Sequence, residues 1–142
     1  MKLADILVTP LLQIKTAGGD VLHAMKRADA GYAGFGEVYF SWISAGAIKA
    51  WKCHTRMTMN VVVPVGQVRF VFRSIGADGA DEFRIEEIGA NRYARITVPP
   101  GIWFGFKGLY AQQSLVLNVA SIAHDSNEVE RLMLSDVNYD WN

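Results

Sequence analysis

The feature that most constrains this chain is its rhythm: short runs rich in β-branched and aromatic residues, separated by glycine- and proline-bearing turns. Residues 36–44 (GEVYFSWIS) form one such run, ended by Ser44-Ala45-Gly46, and 47–60 reads as a second extended segment. Residues 61–73 read as the clearest strand pair, with Pro64-Val65-Gly66-Gln67 supplying the turn. A loop over 74–82 (SIGADGADE) precedes a strand at 83–88, a Gly89-Ala90-Asn91 turn and a strand at 93–98. Pro99-Pro100-Gly101 leads into 102–106, and 114–121 (SLVLNVAS) is the last strong strand. Only 21–28 and 127–132 read as short helices. This pattern predicts an all-β sandwich or barrel with short turns or helices at its two ends. No linker or repeat interrupts it, so residues 1–142 are read as one domain.

Charge narrows the partners. Lysine plus arginine equals aspartate plus glutamate at 14 each, so the formal net charge is zero. Such a chain has no whole-molecule attraction to nucleic acid or anionic lipid, and neither is an expected partner. The lone cysteine, Cys53, allows no internal disulfide and fits a reducing cytoplasm. The N-terminal apolar run is broken by Asp5 and Pro10 and does not read as a signal peptide. No stretch approaches the ~18 uninterrupted apolar residues of a membrane span. A soluble, cytoplasmic protein is expected. Ala17-Gly18-Gly19-Asp20 lacks the spacing of a phosphate loop, and Lys26-Arg27 is too short for a nucleic-acid patch.

Residues 46–66, GAIKAWKCHTRMTMNVVVPVG, resemble the first motif of the cupin superfamily, in which a glycine precedes a His-x-His pair, a glutamate and a closing glycine. Gly46, His54 and Gly66 fall in place, while Lys52 stands for the first histidine and Thr58 for the glutamate. Pro99-Pro100-Gly101-Ile102-Trp103-Phe104 resembles the second motif, with Phe104 in place of its histidine. The resemblance implies a single cupin barrel, a double-stranded β-helix or jelly roll. Metal-binding cupins use those histidines and that glutamate as ligands. One remaining imidazole does not hold a divalent transition metal, so neither metal nor other cofactor is expected.

Among cupins, the chain resembles the dTDP-4-dehydrorhamnose 3,5-epimerases and their shorter nucleotide-sugar isomerase relatives. The likeness is carried by residues 35–41, 47–51 and 97–106 and by the tail 134–141, and runs from about residue 18 to 141. It implies a nucleotide-sugar epimerase or ketoisomerase of polysaccharide biosynthesis, working by proton abstraction next to the 4-keto group of a dTDP-deoxy sugar. It also implies a homodimer built by strand exchange, for which 31–40 is the suited segment. The family pairs a histidine base with an aspartate near the C-terminus, a lysine for the enolate and a tyrosine as acid. Here Lys52 takes the base position if Lys49 matches the family arginine. Asn60 falls at the lysine, and Ala123 or Asn118 stands where the tyrosine is expected.

Strand alternation places Lys52, His54, Arg56, Thr58 and Asn60 on one face and Trp51, Cys53, Thr55, Met57 and Met59 on the other. The resemblance points Lys52 and His54 into the barrel. An ammonium, an imidazole and a guanidinium around one cavity suit an anionic or keto-bearing ligand. His54 then reads as the base, Lys52 as the partner of the developing oxyanion, and Asp136 as the group that orients the imidazole. Glu37, Tyr39, Lys49, Arg56, Asn60 and Trp103 are the expected substrate contacts. The same alternation also fits a merely wetted face over a Trp51, Met57 and Met59 core, with the aromatics as packing. A cupin that has lost its catalytic groups and only binds a sugar or small anion is the alternative function.

Overall fold

The computed structural model describes residues 2–142. Its strands are β1 (Leu7–Pro10), β2 (Gln13–Ile14), β3 (Val21–Leu22), β4 (Glu37–Ile43), β5 (Ile48–His54) and β6 (Met59–Val65). They continue as β7 (Gln67–Ile75), β8 (Asp81–Gly89), β9 (Ala94–Val98), β10 (Trp103–Gly108), β11 (Ser114–Ala120) and β12 (Val129–Arg131). Two five-stranded sheets, ordered β1-β9-β6-β11-β4 and β12-β5-β10-β7-β8, face one another, and β2 and β3 form a separate hairpin. Every pairing is antiparallel. The chain crosses repeatedly between the sheets, the mark of a jelly roll. Among the described residues, no helix is long and apolar enough to cross a membrane.

The crossing between β6 and β7 corrects the expectation of a strand pair over 61–73. β6 bonds to β11 and β9, whereas β7 bonds to β10 and β8, so the two consecutive strands lie in different sheets. Gly66 makes the crossing, with φ at +89°, where a side chain would be strained. A Cβ there would also lie 2.2 Å from Ser114 Oγ. Alternation and turn residues locate strands, but they do not say which sheet receives them.

The expected helices are absent as such. Within 21–28 the chain pairs β3 with β2, and within 127–132 a 3-10 turn (Ser126–Glu128) is followed by β12. The expected single segment 47–60 is also broken: β5 ends at His54, a turn follows, and β6 begins at Met59. That turn resets the alternation, which decides the site below.

Inside the barrel, Phe70, Phe72, Ile96, Val61, Val63 and Met59 anchor one continuous apolar core. A second cluster covers the outer face of the β5-containing sheet, where the C-terminal tail folds back over it. Trp141 packs on Trp51 with ring centroids 5.4 Å apart, and Tyr139 packs edge-on to Trp141 at 5.1 Å. The Trp141 carbonyl accepts a hydrogen bond from Lys107 Nζ at 3.0 Å. Trp103, one of the expected substrate contacts, packs against this outer cluster and does not line the interior cavity: in the β10 alternation it is Phe104 that faces inward.

Asn60 is likewise relocated. It points to the outer face of its sheet, where Nδ2 donates to the Gly31 carbonyl (3.0 Å) and Oδ1 accepts from Thr97 Oγ1 (2.5 Å). Gly31 has φ at +90°, and a Cβ there would lie 2.4 Å from Thr97 Oγ1, so the segment approaches the sheet as closely as glycine permits. Asn60 therefore fastens the chain before β4 and does not line the interior cavity.

The tail cluster yields a direct expectation. Trp141→Ala removes a nearly buried indole and should cost about 3 kcal/mol of unfolding free energy in a denaturant titration. A substitution at exposed Asn142 should leave the midpoint where it is.

Candidate active site

β5 carries the site because its two faces have different neighbours. Trp51 and Cys53 are buried, with Trp51 under the tail, while Lys52 and His54 line the interior cavity. β10 pairs with β5 through a bulge, since Phe104 opposes Lys52 and Gly105 opposes Ala50. The extra residue, Trp51, lets Lys49 as well as Lys52 reach the cavity. The cavity encloses about 490 Å³ between the sheets. Apolar side chains such as Met59, Val61 and Phe70 make its floor, and charged groups gather along its rim.

His54 is the most constrained of these groups. Its Nδ1 lies 2.5 Å from Glu128 Oε1, with side-chain exposures of 10% and 1%. The other carboxylate oxygen of Glu128 accepts hydrogen bonds from the backbone N–H groups of Arg56 and Met57, both at 3.2 Å. The Thr55 N–H donates to the Glu128 carbonyl at 2.7 Å. The turn that ends β5 is thus wrapped around one buried carboxylate. On its other side the imidazole stacks on Phe104, with centroids 5.9 Å apart and planes 16° from parallel. The phenyl ring that stands for the second-motif histidine therefore serves as a platform for His54.

Burial works against the Glu128 charge, but the hydrogen bonds from His54 and the two backbone amides outweigh it, and its pKa lies below the ordinary 4.5. An ionised Glu128 holds the proton on His54 Nδ1, which leaves the Nε2 lone pair free to accept another.

Lys52, on the exposed rim, is opposed directly by Arg131 across the β5–β12 pairing. Lys49 lines the same cavity and donates to the Trp42 carbonyl at 2.7 Å and to Ser41 Oγ at 3.2 Å. Among the described residues no carboxylate forms an ion pair with Lys49, Lys52 or Arg131. Partial burial, then the charges of Arg131 and Lys49, push the Lys52 ammonium pKa down. Like charges set opposite one another destabilise a sheet unless an anion lies between them. The opposite wall, on β4 and β11, presents Glu37, Tyr39 and Asn118.

Other expected site residues lie elsewhere. Asp136 is exposed in the Leu134–Asp136 turn, where its carboxylate accepts the Met133 N–H at 2.6 Å; Glu128 holds the place expected for it. Arg56 follows the break in β5 and pairs with Asp125 at 2.7 Å outside the cavity. Because the turn resets the alternation, Met57 and Met59 line the cavity with His54, the reverse of the uninterrupted-strand reading. Arg131 and Glu128 carried no sequence signal, since neither belongs to a motif and Glu128 is 74 residues from its partner. Among the described residues, no group of three histidine, cysteine or carboxylate side chains is placed to hold a metal ion.

Glu128 should also leave its mark on acid stability. The folded state binds fewer protons than the unfolded chain below pH 4.5, so its contribution is complete above that value and is lost as the pH falls through the lower folded pKa. Glu128→Gln should lower stability at neutral pH by about 2 kcal/mol and flatten the acid limb of the stability profile, measured by denaturation from pH 3 to pH 7 (roughly the carboxylate range).

Neither a scan against family models nor a search of curated proteins returns a match. Solved structures do. A dTDP sugar isomerase from Desulfovibrio desulfuricans is 30% identical, with a TM-score of 0.89 over 96% of this chain and 90% of that one. A dTDP-4-dehydrorhamnose 3,5-epimerase from Elizabethkingia anophelis superposes with a TM-score of 0.77 at 15% identity, covering 99% of this chain and 83% of that one. A sugar 3,4-ketoisomerase from Thermoanaerobacterium thermosaccharolyticum, solved with TDP, gives 0.76 at 15% identity, covering 92% and 90%. The identity and coverage of the first place this jelly roll by descent: the chain belongs to the cupin family of dTDP-sugar isomerases and dTDP-4-dehydrorhamnose 3,5-epimerases.

Proposed function

We propose that this protein is a nucleotide-sugar epimerase or isomerase that removes a proton next to the 4-keto group of a dTDP-linked deoxy sugar. The observation that carries this reading is the His54–Glu128 pair opening onto a cavity whose rim is cationic. Its chemistry needs a base, a group for the enolate oxygen and a site for the diphosphate. His54 Nε2 is the base, fixed by Glu128 behind it and Phe104 beneath it. Lys52 faces the developing oxyanion, and Lys49 and Arg131 offer charge to the diphosphate. None of these roles calls on a metal or redox group, and the enolate charge is met by the ammonium. The family membership and the TDP bound in a structural neighbour support the ligand class.

A binding protein without turnover is the second reading, favoured by two departures from the family set: Asn60 faces away from the cavity, and no tyrosine lies between Tyr110 and Tyr139. One experiment separates them. With dTDP-4-keto-6-deoxyglucose in deuterated water, wild type should place deuterium at C3 or C5, and His54→Asn should lose at least about 100-fold of that rate. Lys52→Ala should lose rate with intact thermal protection by dTDP. Thermal protection without any exchange in wild type would make it a binder, and an unaffected His54→Asn would remove the base.

Homodimerisation belongs to the same proposal. β4 is an edge strand, and its outward side chains Val38, Phe40 and Trp42 are exposed, with Phe35 beside them at 63%. The β2–β3 hairpin adds exposed Leu12, Ile14, Val21 and Leu22. An unpaired apolar edge of this kind favours strand addition by a second copy. Sedimentation velocity should report twice the chain mass, and Phe40→Glu should return the protein to a monomer with its fold intact by circular dichroism. The single cysteine, buried and free, suits a cytoplasmic setting.

A further inference from the structure

A lysine is chemically quiet where its ammonium is paired or freely solvated, and becomes a nucleophile where neighbouring positive charge brings the neutral amine within reach. Of the six lysines, Lys15 pairs with Asp20 at 2.8 Å and Lys107 donates to the Trp141 carbonyl at 3.0 Å. Lys49 donates to Ser41 Oγ and to the Trp42 carbonyl. Lys2 and Lys26 are exposed away from the interior cavity. Among the described residues, Lys52 is the one lysine that lines this cavity with neither a hydrogen-bond acceptor nor a carboxylate on its Nζ.

The fold sets two fixed cations against it. Arg131 opposes Lys52 across the β5–β12 pairing, and Lys49, brought round by the bulge at Trp51, lines the same cavity. Among the described lining residues the single carboxylate is Glu37, which stands on β4, across the cavity from β5. Partial burial, and then like charge on two sides, hold the Lys52 ammonium pKa below the ordinary 10.5. The cations that free the amine also attract anions. At about 490 Å³ the cavity is of the size that takes a small organic ligand. Lys52 is exposed at the rim, so such a ligand meets it without any opening of the barrel.

We propose that Lys52 is a carbonyl-capturing amine: the rim draws in small phosphorylated aldehydes, and Lys52 Nζ holds them as a reversible imine. The Nζ lone pair forms a C–N bond to the aldehyde carbon while the C=O π pair moves onto oxygen, and a proton passes from nitrogen to that oxygen to give a carbinolamine. The nitrogen lone pair then forms the C=N bond as the C–O bond breaks. The oxygen leaves as hydroxide, takes the remaining nitrogen proton and departs as water. Nothing is oxidised or reduced, and water reverses the capture. This goes beyond sugar isomerisation and does not require it. In its ammonium form Lys52 faces an oxyanion; in its amine form it bonds to a carbonyl carbon. An anionic aldehyde therefore blocks the cavity covalently and reversibly, with Arg131 and Lys49 selecting for its charge.

The test uses pyridoxal phosphate, an anionic aldehyde whose imine is coloured, with borohydride to fix the imine and peptide mass mapping to locate it. On the wild-type chain Lys52 should be labelled at least about ten-fold faster than any other lysine. With pyridoxal, which lacks the phosphate, that preference should fall at least about three-fold. Lys52→Arg keeps the charge but has no amine, and should lose the fast labelling; Arg131→Gln should slow it about five-fold. Labelling spread evenly over the lysines, fast labelling that survives in Lys52→Arg, or an undiminished preference with pyridoxal would overturn the capture site. None of these readouts uses a sugar nucleotide, so their failure leaves the isomerase reading to its own exchange experiment.

Discussion

A carboxylate sealed from water survives as an anion only where its oxygens are met by donors, and the site is organised around one that is. Glu128 is met by an imidazole and by two backbone amides of the turn after β5. Those contacts define where β5 stops, where β12 begins and which nitrogen of His54 faces the cavity. Left without its partners, the same carboxylate would cost several kcal/mol to bury, so the turn, the pair and the cavity wall form together. The acid that governs the site is thus also the peg that joins the C-terminal part of the chain to the barrel.

Much of the fold was legible because β-structure writes itself locally. The runs around β4, β7, β8, β9 and β11 are visible from alternation and turn residues, and the two cupin-like segments gave their order. What stayed hidden was set by distant partners. The turn at Gly66 looks like a hairpin in sequence, but sheet membership depends on β9, β10 and β11, which follow later in the chain. The site was legible to the extent that Lys52, His54, Lys49, Glu37 and Tyr39 do line one cavity. Arg56 and Asn60 were misplaced because one turn shifts the parity of every residue after it. Glu128 was missed for Asp136 because the tail resemblance named a carboxylate, whereas burial and the 54–57 turn chose the other.

The cavity divides its labour by depth. Its floor is apolar and its rim is charged, and the rim is unbalanced: Lys49, Lys52 and Arg131 against Glu37. Placing Lys52 and Arg131 opposite one another costs stability, a cost that an anion between them would relieve. Under the proposed function, such a rim favours a charged sugar nucleotide over a neutral sugar, which relieves nothing.

β5 is held from behind. Trp51 lies under Trp141 and Tyr139, one residue from Lys52 and three from His54. The C-terminal residues 139–141 thereby act as a splint on the backbone that carries Lys52 and His54. With that backbone braced, the spacing of His54 and Lys52 is set by a segment outside the cavity, and movement at the rim falls to the long side chains.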